Sequence, residues 1–112
     1  MSARDRLRVL GSKYGAAILA ETGDARTAQE LSDRLEVPIA TCYRRIEELH
    51  EVGLLERLDP PPEAPTQAPE RYRRVPAELR IRFDGEVTTT MIERTGASLA
   101  LDAAWRQTQG TA

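Results

Sequence analysis

TAQELSDRLEVPIATCYRRIEELHEVGLLERL, residues 27–58, reads as a short helix, a tight turn, a longer helix, a glycine stop and a strand. Thr27 and Glu30 have the S/T-x-x-E spacing of a capping box. In that arrangement a hydroxyl and a carboxylate satisfy free backbone N–H groups at a helix start. Leu31 and Leu35 follow, four apart on one face. Glu36-Val37-Pro38 breaks the helix, because proline lacks an N–H and biases its predecessor away from helical geometry. The spacing predicts a second helix over residues 38–52, with Ile39, Cys42, Ile46 and Leu49 recurring at intervals of three and four. Gly53 is placed to take the left-handed conformation that ends a helix, and LLERL continues as a strand. Two helices across a three-residue break have the form of a helix-turn-helix, and the strand after them predicts the winged variety.

Helical projection of residues 38–52 puts Cys42, Ile46 and Leu49 at the centre of the buried face. Ala40, Arg44, Glu47 and Glu51 turn the opposite way, with Thr41 and Tyr43 on the flanks. The outer face is thus small, hydroxylic and cationic in its first half and acidic in its second. Reading helices enter the major groove by their N-terminal residues, so that polarity fits DNA. The candidate contacts are Ala40, Thr41, Tyr43, Arg44 and Arg45. Arg44 can donate twice to a guanine edge or once to a phosphate, and Thr41 and Tyr43 suit a phosphate or a thymine methyl. Arg45 projects nearer the buried side and must reach around, with phosphate as its target. The alternative for all of them is a solvated helix face with incidental charges.

Beyond Leu58, DPPPEAPTQAPE holds five prolines in twelve residues and can be neither strand nor helix interior. Flanked by LLERL and RYRRV it reads as the tip of a wing; a linker between separate units is the alternative. Arg71, Arg73 and Arg74 lie on the returning strand, where Arg71 and Arg73 share a face that can track phosphates or a minor groove. Ion pairing with acids such as Glu56 is their alternative role.

At the N-terminus, residues 4–10 form an amphipathic helix candidate with Leu7 and Leu10 on one side. Ser12 is placed to cap a second helix over residues 13–21, with Tyr14, Ala17 and Ile18 on one face. Near the other end, LRIRF alternates strictly and Asp84-Gly85 signals a hairpin. A two-residue turn would mix apolar and polar residues on one face. A three-residue loop pairs Phe83 with Val87 and Ile81 with Thr89, gathering Leu79, Ile81, Phe83, Val87, Thr89 and Met91, and burial favours that register. Ser98 then starts a final helix to about residue 107, with Leu101, Ala104 and Trp105 on one face. One small winged core need not cover Leu7, Leu10, Leu101 and Trp105, so these predict a homodimer interface.

The stretch from Gly15 to Leu58 resembles the winged helix-turn-helix of ArsR-type transcriptional regulators, particularly archaeal members. The run T-x-Y-R-R-x-x-E-L-x-x-x-G-L-L, Thr41 to Leu55, carries most of the likeness, which covers residues 12–75. It implies DNA binding, with residues 38–52 as the reading helix. Metal-sensing members place paired cysteines within the helix that begins here at Ala28, where this chain has Glu30-Leu31-Ser32-Asp33-Arg34. Metal sensing therefore does not carry over.

Composition agrees with one domain class. At 112 residues and 40% apolar, with no apolar run near eighteen residues, the chain is expected to be a soluble globular protein with one modest core. Its charged N-terminus predicts no secretory signal, making the cytoplasm the default. One cysteine and one histidine argue against a disulfide or an intrachain zinc site, and no cofactor is expected. Cys42 reads as core packing, and His50 as a surface or helix-dipole residue. Net charge is −2, but the acid-free clusters at residues 41–46 and 71–75 matter more, because phosphate attraction is screened beyond about 10 Å. No nucleophile–base pair, glycine-rich phosphate loop or paired-carboxylate motif stands out, so an enzyme is not expected. The expectation is an α+β winged helix-turn-helix with an additional C-terminal β-hairpin and terminal helix. Residues 1–76 form the DNA-binding domain and residues 77–112 a hairpin and helix of the same compact unit. It acts as a homodimeric regulator on double-stranded DNA, without a membrane; a protein-interaction module is the rival.

Overall fold

Thr27 and Glu30 close the capping box. The Thr27 hydroxyl accepts from the Glu30 N–H at 3.1 Å, and the Glu30 carboxylate accepts from the Thr27 N–H at 2.9 Å. In this computed structural model residues 3–65 and 68–94 are described. The helix expected over residues 98–107, with Leu101 and Trp105, lies outside them. The elements are α1 (Ala3–Gly11), α2 (Gly15–Glu21), β1 (Arg26–Thr27), α3 (Ala28–Leu35), α4 (Ile39–Glu51), β2 (Leu55–Leu58), β3 (Arg71–Arg74), β4 (Ala77–Asp84) and β5 (Glu86–Glu93). Two compact units divide between Val75 and Pro76. The result is an α+β winged helix-turn-helix followed by a β-hairpin.

In the first unit the stripe of α4 meets the helices before it. Val9, Ile18, Leu31, Cys42, Ile46 and Leu49 are all fully buried. Each large aliphatic side chain so buried stabilises by about 1.5–3 kcal/mol relative to exposure. The Cys42 thiol points at the Ala28 carbonyl of α3 at 3.5 Å, and burial pushes its pKa up, so it packs as a neutral group. Between α3 and α4, Glu36 takes the left-handed conformation at φ 55° and Pro38 serves as the N-cap of α4. Ser32 donates its hydroxyl to the Val37 carbonyl and accepts the Val37 N–H on its own carbonyl, tying the turn at both groups. At the far end Gly53 sits at φ 81°, with Gly53 N–H on His50 and Leu54 N–H on Leu49, the paired bonds of a Schellman motif.

Four expectations in this unit need correction. Ser12 does not cap α2: its hydroxyl donates to the Val9 carbonyl at 2.6 Å and so closes the end of α1. Helix α2 starts later, at Gly15, with Tyr14 as N-cap at φ 73°. There α1 and α2 approach so closely that a Cβ on Gly15 would lie 2.3 Å from the Val9 carbonyl oxygen. Ala17 is exposed, and Gly15 with Ile18 makes the buried face of α2. Ile39 is 38% exposed rather than part of the buried stripe, because it opens the first turn of α4.

The wing is antiparallel: β2 pairs with β3 as Leu55↔Arg74, Glu56↔Arg73, Arg57↔Tyr72 and Leu58↔Arg71. Beyond the expectation, β3 also pairs with the two-residue β1, giving a three-stranded sheet in the order β1-β3-β2. The alternation of β3 sends Tyr72 into the core at 3% exposure. A buried threonine, Thr22, ties this sheet to α2. Its hydroxyl donates to the Ile18 and Leu19 carbonyls, and its own carbonyl accepts the Arg74 N–H at 2.7 Å.

In the second unit β4 and β5 pair as Leu79↔Met91, Ile81↔Thr89 and Phe83↔Val87, the register of the three-residue loop. Gly85 takes φ 88° at the tip, a conformation that costs glycine little. The face this register gathers is open rather than half-buried: Phe83 is 77% exposed and Val87 52%.

Candidate nucleic-acid interface

Helix α4 carries the first five sequence-predicted contacts, and their environments differ sharply. Ala40, Tyr43 and Arg44 are exposed on the outer face, and Thr41 is half-buried on its flank. Among the described residues Arg44 makes no hydrogen bond or ion pair. No side chain caps α4 and no acid sits in its first turn, where the leading amides lack intrahelical partners. That end of the helix is therefore electropositive and unobstructed. Ile39, expected in the core, is instead exposed on this end of the helix with Ala40 and Tyr43.

Arg45 turns the other way. Its Nε donates to the Lys13 carbonyl at 2.9 Å and its Nη1 to the Glu48 carboxylate at 2.6 Å. Arg8 of α1 donates to the other Glu48 oxygen at 3.1 Å. Burial pushes the Glu48 pKa up, but the hydrogen bonds from Arg45 and Arg8 outweigh that, so its carboxyl titrates below the usual range. Arg45 thus ties α4 to the turn before α2, while Glu48, held by Arg45, ties α4 to α1.

On the acidic half of the outer face, Glu47 accepts from Arg57 of β2 at 2.8 Å, and the same guanidinium reaches Glu70 at 3.1 Å. The wing's own arginines divide as well. Arg73 pairs with Glu56 across the strands at 2.6 Å, the alternative role the sequence allowed it. Arg74 shares the inward side of β3 with Tyr72 and donates to the Leu19 carbonyl at the end of α2, 3.2 Å away. Arg71 is half-buried, and among the described residues its Nε has no hydrogen-bond partner. Tyr72, between these arginines, was missed by a reading that attended to charge. The period-two position it shares with Arg74 was the available signal. Of the expected dimer residues, Leu7 and Leu10 are half-buried while Val9 supplies α1's core contact; Leu101 and Trp105 lie outside the described residues.

No curated protein matches this chain. Residues 10–57, from the end of α1 into β2, match a family model described as a helix-turn-helix domain, the part of the winged unit that holds α2, α3 and α4.

Proposed function

We propose that this chain is an ArsR-like, homodimeric transcription regulator that reads an operator with α4. The observation that carries the reading is Arg44: an exposed guanidinium without a partner among the described residues, in the N-terminal half of the helix a helix-turn-helix inserts into DNA. Arg44 donates to a guanine edge. Ala40, Tyr43 and Ile39 contact bases or thymine methyls, and the uncapped amides of α4 meet a phosphate. Arg71 follows the backbone from the wing. Arg45, Arg73 and Arg74, first candidates for DNA, serve the fold through the partners already described. The half-exposed Leu7 and Leu10 of α1 belong to the dimer interface, which places two α4 helices in successive major grooves of a pseudo-palindromic site.

The test is selection of bound sequences from random duplex DNA, followed by a shift assay of the recovered operator. Recovery of a two-fold site bound by wild type and lost on Arg44→Ala supports the reading. Absence of any salt-dependent binding to duplex DNA assigns the domain to protein contacts instead.

A further inference from the structure

Helix α4 contains two arginine–glutamate pairs at the same spacing, Arg44 with Glu47 and Arg45 with Glu48. Residues three apart on a helix are neighbours, with Cβ atoms about 5–6 Å apart, so opposite charges there attract. Arg45 and Glu48 do pair, at 2.6 Å. Arg44 and Glu47 do not, although both are exposed on the outer face. The difference lies in the wing. Arg57 of β2 donates to Glu47 from Nη2 at 2.8 Å and reaches Glu70 through Nε at 3.1 Å. Its register partner on β3 is the buried Tyr72, whose ring centroid lies 6.0 Å from the guanidinium carbon. Glu70 and the Tyr72 ring therefore hold Arg57 beside the acidic half of α4, and Arg57 in turn occupies the one carboxylate that Arg44 has as an i,i+3 neighbour.

We propose that Arg57 is a positioning residue for DNA recognition: by engaging Glu47 it keeps the Arg44 guanidinium open to the major groove. The inference rests on the reading of Arg44 as the base contact. Without Arg57, the Glu47 carboxylate turns to Arg44, one turn away on the same face. That exposed ion pair must then break before the guanidinium reaches a base, which lowers affinity about two- to fivefold. Arg57 acts through Glu47 and touches no base itself.

Fluorescence anisotropy of the full chain on a labelled duplex carrying the selected site, at low salt, tests this. Arg57→Ala lowers affinity about two- to fivefold, and adding Glu47→Gln, which removes the competing charge, restores the wild-type value. In an Arg44→Ala background Arg57→Ala has no further effect, because the side chain it keeps open is gone. Restoration by a change on α4 also shows that the wing variant is folded, since misfolding is not repaired there. A loss that Glu47→Gln leaves in place, with a flatter salt dependence, overturns the proposal and makes Arg57 a phosphate contact. A loss that persists in the Arg44→Ala background overturns it too, and assigns the effect to repulsion between the bare Glu47 carboxylate and the phosphates. Unchanged affinity in Arg57→Ala, with Arg44→Ala weakened, overturns this inference alone. Wild-type affinity in Arg44→Ala removes the base contact itself, and the inference with it.

Discussion

Arg44 and Arg45 are neighbours in sequence and opposites in structure. One is exposed and without a partner among the described residues; the other is fixed to the Lys13 carbonyl and to Glu48. Their alanine variants should therefore separate. Arg44→Ala weakens operator binding by about 1–3 kcal/mol, the value of a bidentate base contact, and leaves the melting temperature in place. Arg45→Ala removes two hydrogen bonds at a partly buried site and leaves Glu48 with one cationic partner, at a cost of about 1–3 kcal/mol in folding stability. Denaturant titration beside the shift assay checks both, and equal losses of binding at unchanged stability would contradict the assignment. Helical projection already placed Arg45 nearer the core than Arg44. What it could not supply were the long-range partners, because Lys13 lies 32 residues from Arg45 in sequence and Arg8, the second donor to Glu48, lies 40 from that carboxylate.

Elements were legible wherever their determinants are local. The capping box, the proline at the turn and Gly53 each act within a few residues, and α3, α4 and the start of the wing follow from them. The register of β4 and β5 was also legible, since only one pairing collects the apolar residues on a single side. By contrast β1 spans two residues and exists through its pairing with Tyr72 and Arg71, far along the chain, so no periodicity announces it. Ser12 misled because its hydroxyl had two helix ends within reach, and the close approach of α1 and α2 at Gly15 settled which one it serves. Thr27→Ala should cost about 1 kcal/mol, the usual value of a lost N-cap. Acid should probe the same cap. The backbone N–H of Thr27 holds the Glu30 pKa below its ordinary 4.5, against a smaller push from burial, and Glu48 is likewise lowered. Their stabilisation is present above the unfolded value and is lost as pH falls through the folded values. A Glu30→Gln/Glu48→Gln variant should lose less melting temperature than wild type between neutral pH and roughly pH 3. Parallel acid profiles would remove these carboxylates from the explanation.

At the scale of the whole molecule, charge decides what the wing does. Three arginines in five residues read as a phosphate-tracking strand, yet Arg73 faces Glu56 and Arg74 faces the end of α2, so the proposed wing contact to DNA rests on Arg71. Each phosphate contact contributes about −0.9 to the slope of log affinity against log salt. Arg71→Ala, removing one contact from each half of a dimer, should flatten that slope by about 2 units on operator and random duplex alike, because a backbone contact carries no sequence information. Arg73→Ala should leave the slope unchanged. Arg74→Ala should lower stability, since it takes a hydrogen bond from the Leu19 carbonyl, and should also spare the slope. A salt titration of the three variants tests the division of labour. A flattened slope in Arg73→Ala would mean that its ion pair with Glu56 opens on binding. A loss of sequence preference in Arg71→Ala, at constant slope, would give the wing the reading role proposed for α4.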